Sequence, residues 1–117
     1  MTDIINKIDN ILKKDYDHEI PDKPRSVEFN RAIKSLLKKI FPEYTIITTK
    51  GSWCTASGFI QNATTGRTVY YSFQDYRYDN WKTKILIRTA KDEKDYYGGA
   101  NHYTNVNNIR NDVMVLM

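Results

Sequence analysis

A chain of 117 residues, 40% hydrophobic and 27% charged, can bury one core without disulfides or metal and has the balance of a globular domain. No run approaches the roughly eighteen consecutive apolar residues of a spanning helix, and residues 1–14 lack the basic and apolar regions of a secretory signal. The net charge of +4 is mild and uneven: −2 over 1–24, +4 over 25–50 and +2 over 51–117, so either an anionic partner is steered to one side or a helix simply carries a solvated basic face.

The spacing predicts a first helix over 4–14. Ile4, Ile5, Ile8, Ile11 and Leu12 make one apolar stripe, Asp3 is placed to cap the start, and Lys13 and Lys14 suit the negative end of the dipole. Residues 15–25 hold two prolines among alternating charges and cannot continue that helix. The expected organisation is an N-terminal helical arm and Pro-containing linker over 1–25, then a single α+β domain over 26–117. The arm's stripe can pack on its own domain or on a partner, and packing at home is favoured because so short a helix is marginal alone.

A second helix is expected over 26–41, with Ser26 as N-cap and Pro42 as the stop. Phe29, Ile33, Leu36, Leu37 and Ile40 line one face, while Arg31, Lys34, Lys38 and Lys39 largely avoid it. From Tyr44 the period changes to two. Strands are predicted over 44–50, 53–61, 68–76 and 81–89, with turns at Gly51-Ser52, a hairpin loop over 62–67 and a turn at Asp79-Asn80. Ala56, Ser57 and Gly58 leave room for a neighbour to approach closely. A third helix is expected from Asn105, with Thr104 as N-cap and Val106, Ile109, Val113 and Leu116 on one side. The order ααββββα with short connections predicts an α+β fold: a four-stranded antiparallel meander covered on one face by the second and third helices.

If Val69, Tyr71, Phe73, Ile85 and Ile87 face the helices, then Tyr70, Gln74, Tyr76, Lys82, Lys84 and Arg88 face water. Tyrosines beside cations suit a protein interface, where Tyr and Arg supply most anchors. They also suit plain strand-forming preference, or single-stranded nucleic acid with bases stacked on rings, although no RNA-recognition, helix-turn-helix or zinc-finger pattern supports the last. With the adjoining Arg77, Tyr78, Tyr96 and Tyr97, these make the candidate binding surface. Lys91, Lys94, Gly98 and Gly99 make a candidate anion site before a helix start, although Asp92, Glu93 and Asp95 would repel a phosphate and Gly98-Gly99 also suits a tight reversal.

His102 near Asp92, Asp95 or Asp75 could act as a general base, and Cys54 with His102 could form a nucleophile pair. A cysteine inside a strand is more often a small buried hydrophobe, and no hydrolase or metalloprotease motif accompanies it. Two His and one Cys without ligand spacing do not suggest a metal. No catalytic residue and no cofactor is therefore expected, and one thiol fits a reducing compartment.

The segments SFQDYRY at 72–78 and RTAKDEKDYYGGANHYT at 88–104, with the Phe-Pro stop at 41–42, resemble small α+β accessory proteins of phages, plasmids and conjugative elements in low-GC Gram-positive bacteria. The resemblance spans roughly residues 29–110 and carries over no catalytic residues. It implies the cytoplasm of a bacterial host cell and a non-enzymatic inhibitor of host defence, an anti-CRISPR protein being the most concrete version. The implied partner is a host protein or nucleoprotein, with direct nucleic-acid binding as the alternative; oligomeric state stays open.

Overall fold

The computed structural model of the chain describes residues 2–13, 23–49, 54–95 and 98–117. Among these residues three helices and five strands follow one another: α1 (Thr2–Lys13), α2 (Lys23–Ile40), β1 (Thr45–Thr48), β2 (Ala56–Gln61), β3 (Thr68–Phe73), β4 (Ile85–Ala90), β5 (His102–Thr104) and α3 (Ile109–Leu116). The strands form one antiparallel sheet whose spatial order is the chain order, β1 to β5. The class is α+β, as expected, with one strand more than the four predicted.

Alternation along the strands decides which side is buried. Ile46, Ile60, Val69, Tyr71, Phe73, Ile85 and Ile87 point to the helices and join one core. The register aligns them: Ile46 opposes Ile60, Ile60 opposes Val69, and Tyr71 opposes Ile87. From the helices come Phe29, Ile33, Leu36, Leu37 and Ile40 of α2, and Ile109 and Val113 of α3. Each of these buried side chains contributes roughly 1.5–3 kcal/mol before entropy is charged. Gly58 lies between Thr48 and Tyr71, where a Cβ would overlap the Ile47 carbonyl oxygen and come within 2.7 Å of the Tyr71 hydroxyl. The small residues of β2 thus let β1 close onto the sheet.

All three helices meet this core. Ile8 and Ile11 of α1 are buried in it, with Ile4, Ile5 and Leu12 partly buried against it. Asp9 on the same helix accepts hydrogen bonds from Trp81 Nε1 at 2.9 Å and Lys82 Nζ at 3.1 Å. Arg110 fastens α3 to the end of α2, donating to the Ile40 carbonyl at 2.6 Å and gripping both Glu43 oxygens at 2.8 and 2.9 Å.

Several boundaries differ from those read off the sequence. α2 begins at Lys23, before Ser26, because Pro24 is tolerated in a first turn that needs no N–H. Cys54 does not lie in a strand: it is buried in a turn with φ +66°, and β2 starts two residues later. β3 stops at Phe73, and residues 81–83 form a turn around buried Trp81, so β4 starts only at Ile85. Thr104 does not cap a helix. It ends β5, opposite Ile85, and α3 begins after Asn108. The Asn105 side chain accepts from the Asn108 N–H at 2.9 Å, and this turn fills the stretch read as helical. The expectations for Lys14, for residues 15–22 and 50–53, and for Tyr96 and Tyr97 fall outside the described residues.

Candidate binding surface

The sheet face turned away from the helices is not the wet plate that alternation suggests. Ile47, Phe59, Tyr70 and Arg88 form one row across it. Phe59 is 0% exposed and meets the Tyr70 ring edge-on at 5.4 Å. The Arg88 guanidinium lies 4.3 Å from the centre of that ring, and its Nη1 donates to the Gly98 carbonyl at 2.8 Å. Arg88 is only 7% exposed and Tyr70 is half-buried. The row is a second small packed layer, and Arg88 uses its charge to tie the β4–β5 connection to the sheet.

Three more of the predicted residues, Tyr76, Lys82 and Gln74, are part-buried because strand alternation stops at Phe73. Past that point Tyr76 turns under the molecule, its ring 5.0 Å from Phe29 of α2. Lys82 is spent on Asp9 of α1. Gln74 is half-buried beside the Ser72 carbonyl.

What remains outside is the β3–β4 connection. Asp75 organises it. Its carbonyl accepts from the Tyr78 and Asp79 N–H groups at 3.1 and 2.9 Å. Its carboxylate accepts from the Arg77 backbone N–H and Nε at 3.0 Å each, and from Nη2 at 2.6 Å. Those hydrogen bonds from Arg77 outweigh partial burial and hold the Asp75 carboxyl below the usual carboxylate range. The fixed guanidinium sits 5.2 Å from the centre of the Tyr78 ring, which is 80% exposed. Lys84 flanks the turn, exposed, 3.4 Å from Asp79. The structure thus brings Arg77, Tyr78 and Lys84 together on one projecting turn and withdraws Tyr76, Lys82 and Arg88. The Asp-x-Arg spacing at 75–77 is the sequence signal for this clamp; Asp75 was not among the predicted surface residues.

The candidate anion site has different surroundings from those expected. Gly98 and Gly99 precede β5, not a helix. Gly99 has φ +65° and lies so close to Thr89 that a Cβ would come within 2.8 Å of its carbonyl oxygen. The Lys91 and Lys94 N–H groups bond to the carboxylates of Asp95 and Asp92, at 2.9 and 2.8 Å. The loop's own acids thus occupy the donors an anion would need.

His102 lies exposed on β5 and shares a cavity of about 250 Å³ with Asp112, Ile87 and Leu116. Cys54 leads into β2, three strand spacings from β5 and so roughly 14 Å away, which is too far to pair with His102. Among the described residues no group of three or more His, Cys, Asp or Glu is placed to hold a metal ion, and no helix is long and apolar enough to cross a membrane. Searches of protein-family models, of curated proteins and of solved structures find no match to this chain.

Proposed function

We propose that this chain is a non-enzymatic binding protein from a mobile element that inhibits a bacterial defence protein or nucleoprotein by occupying its surface, in the manner of an anti-CRISPR protein. One observation carries the binding part of this reading: Tyr78 stands 80% exposed beside an Arg77 already immobilised by Asp75. Tyrosine and arginine are the usual anchors of interfaces, and an anchor fixed before contact loses less entropy on binding. The mobile-element part rests on the resemblance of residues 72–78 and 88–104.

The nucleic-acid alternative relied on the outer sheet face, whose central cation, Arg88, is engaged with Tyr70 and Gly98. That engagement favours a protein partner. The exposed cations Arg31, Lys38 and Lys39 on α2 would then steer an acidic partner toward the molecule.

The test is expression of the chain in bacteria whose CRISPR system targets an infecting phage. The wild type is expected to restore plaques. Arg77→Ala with Tyr78→Ala should abolish the effect while leaving the thermal midpoint within about 3 °C, since both side chains are exposed. Failure of the wild type across several such systems would sink the anti-CRISPR version. Full activity of the double variant would remove the turn as the binding site. A gel shift at two ionic strengths distinguishes the alternative, whose affinity would fall steeply with salt.

A further inference from the structure

The positive charge of the molecule is gathered on two of its helices. α1 and α2 hold eight cations against three acids, a net of +5 where the whole chain has +4, so the remainder carries −1. Outside them the cations are spent at home. Arg77, Lys82, Lys84 and Arg110 each meet a carboxylate, Arg67 and Arg88 each meet a backbone carbonyl, and Lys91 and Lys94 stand beside three acids of their own loop. On the helices, Lys7, Lys13, Arg31, Lys34, Lys38 and Lys39 make no ion pair among the described residues. Between α1 and α2 runs a groove of about 530 Å³, within the range of clefts that hold a ligand. Buried Ile11 and Ala32 floor it, Lys7 stands on one wall and Arg31 on the other.

We propose that this groove takes an acidic peptide segment of the partner, laid between α1 and α2 with its carboxylates on Lys7 and Arg31. The inference rests on the protein partner proposed above and names its chemistry. Unpaired cations at the positive pole of the molecule draw in an anionic segment and gain a charge they lack at home. Three features favour a peptide over nucleic acid. Asp3 and Glu28 also line the groove, and a phosphodiester chain, charged at every residue, would be held against both. A peptide can space its acids to meet the cations alone. Asn6 and Asn10 each offer a donor and an acceptor, which suits backbone C=O and N–H groups. And α1 and α2 expose no ring on which a base could stack: their one aromatic residue, Phe29, is buried.

Fluorescence anisotropy of a labelled peptide of about twelve residues, alternating Glu and Ala, tests this at about 150 mM salt, where exposed charges more than about 8 Å apart are largely screened. The expected result is saturable one-to-one binding with a Kd of about 10–100 µM. Lys7→Glu with Arg31→Glu should raise that Kd at least about tenfold. Lys91→Glu with Lys94→Glu makes the same change in net charge elsewhere and should leave it within about twofold. All four side chains are exposed, and circular dichroism checks the fold. No saturable binding, an equal loss in both pairs of variants, or tighter binding of an oligonucleotide of equal charge overturns the proposal. Arg77→Ala with Tyr78→Ala should leave the peptide Kd unchanged, so the groove and the binding turn can fail separately. A wild type that binds the peptide yet restores no plaques sinks the anti-CRISPR reading and not the groove.

Discussion

At the scale of single residues, position along a strand proved a weaker guide than what the chain does next. Arg88 occupies an outward position of β4, and alternation alone leaves it in water. Its burial depends on the β4–β5 connection returning over it, and no local pattern encodes that return. Arg88→Ala would strand the Gly98 carbonyl and remove the cation from the Tyr70 ring, at a cost of about 1–3 kcal/mol. The expected readout is a lower thermal midpoint with faster amide exchange in residues 91–95 and 98–101, not a selective loss of binding.

Asp9 is the complementary case on the helix side. Burial pushes its carboxyl up, but the hydrogen bonds from Trp81 and Lys82 together outweigh it and hold the group below its ordinary value. With the folded value below the unfolded one, the stability it supplies is complete above the ordinary carboxylate range and is lost as pH falls below about 4. Asp9→Asn should therefore cost on the order of 1 kcal/mol at pH 7 and progressively less as the pH falls below about 4 toward and through the folded value, measured as the difference in thermal midpoint from the wild type.

At the scale of elements, legibility followed length. The helix α2 was readable because five apolar residues repeat over 18 residues. The strands β2 to β4 were readable in their middles, where β-branched and aromatic residues alternate, and misread at their ends. Gln74, Asp75 and Tyr76 extend the period of β3 by chance, yet fold into a turn around the Asp75 carbonyl. A strand of three residues such as β5 shows no period at all. Asp-x-Arg could be read as a motif, but not as the clamp that leaves Tyr78 exposed. Gly58 is an element-scale feature that was legible: a run of small residues marks close approach, and β1 does approach there. Gly58→Ala should cost about 2–3 kcal/mol, because the Ile47 backbone cannot move aside without breaking its pairing with Phe59. Urea unfolding measures it, and a cost under about 0.5 kcal/mol would mean β1 is not held to β2 in this register.

At the scale of the molecule, three helices share one face of one sheet, and the largest sequence separation is bridged by α1. Its stripe reads the same whether it packs at home or on a partner, so only tertiary structure could decide. Ile8 is fully buried, and Ile8→Ala should lower stability by about 2–4 kcal/mol in a single cooperative transition. A separate early transition, or no change at all, would show that α1 contributes nothing to the common core.

The meander has a kinetic consequence. Every strand neighbours the one before it, so each hairpin closes a short loop and the sheet can zip up from any of them. The Trp81–Asp9 bond joins positions 72 residues apart and gains nothing from that zipping. During refolding α1 is thus the latecomer, seated only once α2 and the turn at Trp81 stand ready to receive it.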